Sequence, residues 1–88
     1  MKKIHFDNNK NIIHENLKLL RVKRGLTQSA LAAKMQTLGV NLDQQMISKI
    51  EHNTRFVTDY ELACFAVALK TTPNALYGDF LTLLAESK

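Results

Sequence analysis

The chain has 88 residues, 45% of them hydrophobic, with one cysteine and a formal net charge of +4. That length makes one domain, the apolar share supports a core rather than global disorder, and a lone Cys64 excludes an internal disulfide or a thiolate metal cluster. No apolar run approaches the roughly 20 residues that span a bilayer, and the opening MKKIHFDNN has no secretory segment, so the expected compartment is the cytoplasm.

Residues 1–10 are polar and basic, with Ile4 and Phe6 embedded, and are expected as an N-terminal basic arm or a short packed extension. The remainder, 11–88, is expected as the folded domain. A first helix is expected from about Asn11 to Arg24, with Ile13, Leu17 and Leu20 on one face, Arg21 beside it and Gly25 as the stop. Thr27 is a natural N-cap for a second helix opening at Gln28, where Leu31, Met35 and Leu38 repeat at helical spacing beside Ala32. Asp43 caps a third helix running to about Glu51, with Met46, Ile47 and Ile50 as its apolar members, and Asn53 suits its left-handed end. Thr58 and Glu61 have capping-box spacing, so a fourth helix starts near Asp59 and turns Leu62, Phe65, Ala66 and Leu69 inward. Thr72 and Pro73 open a fifth, whose Leu76, Phe80, Leu83 and Leu84 form a stripe that Gly78 can divide. Strand-like alternation is absent, and the expected fold is an all-α, compact bundle of about five short helices.

Charge is unevenly placed along these pieces. Seven basic side chains stand against two acidic ones from Met1 to Arg24, and two against four from Phe56 to Lys88. The asymmetry favours an anionic partner on one side, although a merely solvated surface explains it as well.

The segment LTQSALAAKMQTLGVNLDQQMISKIE, Leu26 to Glu51, is less generic. A helix-turn-helix crosses two helices steeply, which demands a small residue on the first, a turn that tolerates glycine, and branched apolar residues on the second. Ala32, Gly39 and the pair Ile47 and Ile50 meet those demands. Gln44 and Gln45 follow the cap directly, on the turn that enters the major groove in such motifs. A glutamine amide donates and accepts together, matching the N6 and N7 edge of adenine. The bland alternative is that both are ordinary exposed helix formers.

Joined with NLKLLRVKRG before this segment and YELACFAVALKTTPNALYG after it, the order and spacing resemble the lambda-repressor-like, Cro/C1-type (XRE) helix-turn-helix family of phage and bacterial regulators. The resemblance covers roughly residues 13 to 78. It implies a DNA-binding transcriptional regulator of double-stranded DNA, a repressor, with no cofactor. It further implies base reading by Gln44, Gln45 and Ser48, and phosphate contact by Gln28, Lys49, Asn53, Thr54 and Arg55. Gln28 would also brace a side chain of the recognition helix, and Lys49, beside Ser48, reaches a base edge in some members. Arg21 and Glu51 match a buried ion pair joining the first and third helices. One departure stands out: between Met35 and Ile47 the chain is about five residues longer than the family pattern, so Gln36 to Leu42 form an extended motif turn.

His5, His14 and His52 lack metal-ligand spacing, and no nucleophile motif or Gly-rich phosphate loop occurs, so an enzyme is not expected. Lys2 and Lys3 could follow a groove as an arm. A homodimer on a two-fold operator is expected because so small a domain reads only a short half-site, and part of the last Leu/Phe stripe, otherwise core, could form its interface. The rival class is a protein-interaction module, an antitoxin or adaptor of the same fold, presenting Leu38, Val40 and Leu42 to a protein partner.

Overall fold

The structure, a computed structural model, describes residues 8–86, so the Lys2–Lys3 arm and His5 lie outside the described residues. Among these residues there are six helices and no strand: α1 (His14–Lys23), α2 (Gln28–Thr37), α3 (Gln44–Glu51), α4 (Asp59–Ala68), α5 (Pro73–Tyr77) and α6 (Phe80–Glu86). Helix α3 packs against both α1 and α2, α4 closes over α2, and α5 bridges α1 and α4. The core is built from the expected stripes, with Leu17, Leu31, Met35, Ile47, Ile50, Phe65, Leu69 and Leu76 fully buried.

Side chains start the helices where their chemistry allows. Thr27, Asp43, Thr58 and Thr72 each accept a backbone N–H from three residues onward, and Thr58 with Glu61 completes a capping box. The helix ends follow one recipe four times. After α1, α2, α3 and α4 the next-but-one residue adopts positive φ, at Gly25 (72°), Gly39 (87°), Asn53 (62°) and Lys70 (53°). In each case the following N–H returns five residues, from Leu26 to Arg21, Val40 to Met35, Thr54 to Lys49 and Thr71 to Ala66. These are Schellman closures, which satisfy carbonyls the helix leaves open.

Three expectations are corrected. Helix α1 begins at His14 rather than near Asn11, because Asn11 is occupied elsewhere: its Nδ2 donates to the carbonyls of Ile50 and Arg55, both at 3.0 Å. The long turn does not present an apolar surface made of Leu38, Val40 and Leu42. Leu38 is exposed, but Val40 and Leu42 are buried at 7% and 1% exposure. Once Gly39 reverses the chain, the Val40 N–H bonds back to Met35, and Gln36 Nε2 donates to the Leu42 carbonyl at 3.0 Å. The added residues thus become two further plugs of core, each worth about 1.5–3 kcal/mol of burial. Finally, the last stripe is not uniformly core. Gly78 separates α5 from α6, Leu76 is buried, but α6 has no buried residue: Phe80, Leu83 and Leu84 are half-buried and Leu81 is exposed.

Candidate nucleic-acid interface

Helix α3 has a clear inside and outside. Ile47, Ile50 and Glu51 are buried, whereas Gln44, Gln45, Lys49 and His52 are exposed and Ser48 is half-exposed. Spacings of three and four residues place Gln44 with Ser48, and Gln45 with Lys49 and His52, on adjacent rows of the outer face. The structure therefore groups the residues expected to read bases with Lys49 on one surface.

A hydrogen-bonded chain runs from that surface into the core. Gln44 Nε2 donates to Gln28 Oε1 at 2.8 Å, and Gln28 Nε2 donates to Glu51 Oε1 at 3.0 Å. The Glu51 carboxylate, in turn, takes Arg21 Nε on Oε2 at 2.6 Å and Arg21 Nη2 on Oε1 at 3.1 Å. Arg21 also donates Nη1 to the Leu26 carbonyl at 2.8 Å. Both partners of the pair are buried. It ties α1 to α3, and each of the three guanidinium nitrogens has an acceptor.

The loop after α3 is differently engaged. Asn53 Oδ1 accepts the backbone N–H groups of Lys10 and Asn11 at 2.8 and 3.3 Å, while its Nδ2 donates to Asn9 Oδ1 at 2.7 Å. Thr54 Oγ1 donates to the Lys49 carbonyl at 3.0 Å. Arg55 forms a two-pronged pair with buried Glu61 and also donates to the Phe56 carbonyl. Donating these bonds to Glu61 raises the Arg55 pKa further. At Glu61, burial pushes the carboxyl upward, but hydrogen bonds from Arg55 and Thr58 outweigh it and hold the group below the ordinary carboxylate range. The side chains of Asn53, Thr54 and Arg55 thus first build the loop, with Arg55 left partly exposed at its edge.

Two contributors carry little signal in the sequence. Asn9 to Asn11 clamp the end of α3, and only the readiness of asparagine to bond nearby backbone hints at it. Arg24 donates Nε to the Leu69 carbonyl at 2.8 Å and Nη2 to the Lys70 carbonyl at 3.0 Å, a cation set on the C-terminus of α4. Lys10 Nζ lies 5.0 Å from the centre of the Phe56 ring, placing another cation beside this loop. Among the described residues no His, Cys, Asp and Glu cluster could hold a metal ion, and no helix is long and apolar enough to cross a membrane.

No curated protein and no solved structure matches the chain significantly. A helix-turn-helix family model matches residues 17–74, two thirds of the sequence, from the middle of α1 through the first turn of α5. That span contains both motif helices, the Gln28–Gln44 contact and the loop after α3. The chain belongs to the Cro/C1-type helix-turn-helix (XRE) family of DNA-binding transcription regulators.

Proposed function

We propose that this protein is a sequence-specific regulator that lays α3 in the major groove of duplex DNA and represses by occupying a promoter. The observation that carries the reading is the outer face of α3, where Gln44 and Gln45 stand on the exposed first turn beside Ser48. Amides there are matched to base edges, which display donors and acceptors in the major groove. Lys49, Gln28 and the exposed edge of Arg55 supply contacts to the flanking phosphates. Asn53 and Thr54 serve the same contact by shaping the loop and orienting its backbone N–H groups.

The functional unit is a homodimer on a two-fold operator. Support comes from α6, which buries none of its residues and leaves Leu81 about half exposed, at 51%. A second copy packed on that helix would cover the stripe and set two α3 helices one turn of DNA apart. The test is a pair of promoter fusions carrying the selected operator intact or scrambled. Repression of the intact fusion alone is expected; activation, or equal expression from both, contradicts the repressor assignment.

A further inference from the structure

We infer that Glu51, which touches no DNA in the proposed mode, sets the base choice of Gln44 by fixing the direction of two amides in series. The inference rests on the proposed base reading by α3 and adds to it the origin of its polarity.

An isolated glutamine amide is symmetric in shape and can rotate by half a turn, exchanging donor for acceptor. At a base edge that exchange matters. Adenine and cytosine offer an exocyclic N–H, whereas guanine and thymine offer an oxygen at the corresponding place. A rotating amide therefore accommodates both groups, and a fixed one discriminates.

In this protein the fixing is forced by chemistry. The Glu51 carboxylate is anchored by two bonds from Arg21, on Oε2 and on Oε1, and both oxygens stand there as acceptors. Gln28 lies 3.0 Å from Glu51 Oε1 and must turn its NH₂ towards it, since its oxygen there would face another lone pair. Its Oε1 is consequently the atom offered to Gln44, which must answer with Nε2, at 2.8 Å. One N–H of Gln44 is thereby consumed, leaving its Oε1 and a single N–H for the groove. That remaining set pairs with the N6 donor and N7 acceptor of adenine, and it lacks the two donors that guanine's O6 and N7 would require. Gln45 is exposed and has no side-chain partner among the described residues, so its amide is unpolarised and serves as an internal control. Glu51 is a positioning residue whose influence reaches the surface through Gln28.

The test uses the whole chain and sites selected from a random duplex library, followed by competition among four duplexes differing only at the base pair whose selection is lost in Gln44→Ala. Wild-type protein is expected to favour adenine there. Gln28→Met keeps the size and the Arg21–Glu51 pair but cuts the relay, and should lower that preference roughly fivefold, the worth of one ordinary hydrogen bond. Preference at the Gln45 base should stay unchanged. Glu51→Gln should act in the same direction wherever thermal unfolding shows it folded. If Gln28→Met weakens binding to all four duplexes equally and leaves the adenine preference intact, the polarity inference is overturned while base reading by Gln44 stands. If wild-type protein enriches no sequence, the base reading itself fails and takes the inference with it.

Discussion

Arg55 and Glu61 meet as a two-pronged pair, Nη1 to Oε1 at 3.0 Å and Nη2 to Oε2 at 3.1 Å, and the same Oε1 accepts the Thr58 N–H that completes the capping box of α4. One carboxylate thus joins the end of the recognition loop to the start of the next helix. Because the folded state holds Glu61 below its ordinary pKa, its contribution is complete above the unfolded carboxylate value and is lost as pH falls through the depressed one. Glu61→Gln retains the cap geometry but not the charge. Urea unfolding from neutral pH down to about pH 2 should show wild type ahead of Glu61→Gln at neutrality and the gap closing with acid. A gap independent of pH would contradict the assignment.

Arg55→Ala should cost about 2 kcal/mol of stability, since buried Glu61 would lose two charge-assisted bonds. Lys49→Ala, on an exposed position with no acidic partner among the described residues, should leave stability within about 0.5 kcal/mol of wild type. It should nonetheless lower the slope of log affinity against log salt by about one, measured by fluorescence anisotropy on a labelled duplex. An unchanged slope removes Lys49 from the phosphate contacts.

Lys70 adopts φ 53° at the end of α4, where a side chain costs energy and glycine does not. Lys70→Gly should therefore raise stability by about 1 kcal/mol, visible as a higher Tm, even though it removes a side chain. Lys70→Ala should bring no gain, because alanine keeps the Cβ. Arg24 would retain its bonds to the Leu69 and Lys70 carbonyls in both variants, as these are backbone groups.

Gly78 is held at φ 64° and ψ −129°, and a Cβ there would lie 2.3 Å from Asn16 Nδ2, the atom that donates to the Leu76 carbonyl. Gly78→Ala combines backbone strain with displacement of that bond and should destabilise by about 2 kcal/mol in thermal unfolding. A neutral result would mean that α6 shifts freely relative to α5.

Much of this was legible beforehand because it is local. Thr27, Asp43, Thr58 and Thr72 cap by bonding three residues ahead, and Gly25, Gly39 and Asn53 turn the chain with conformations that few residues tolerate. What stayed hidden is tertiary. Lysine carries no left-handed preference, so the closure at Lys70 could not be read; the packing of α4 imposes it. Nothing local to Asn11 separates it from the helix that starts at His14, yet its amide bonds carbonyls about 40 residues away. Val40 and Leu42 are apolar members of a polar turn, and nothing local distinguishes a residue turned to a partner from one folded back on Met35. In the candidate site, the outward amides of α3 followed from helix geometry. The occupation of Asn53, Thr54 and Arg55 inside the protein depended on neighbours remote in sequence or on the path of the loop.

The most direct test of the central claim is selection of binding sites from a random duplex library at near-physiological salt, using wild type and Gln44→Ala side by side. The expected result is a short motif, repeated with two-fold symmetry about one helical turn (~34 Å) apart, in which Gln44→Ala relaxes one base per half-site by about 1–3 kcal/mol without altering the salt slope. Weak binding that enriches no sequence and fades as salt rises would contradict it, because it would reduce the interaction to charge alone.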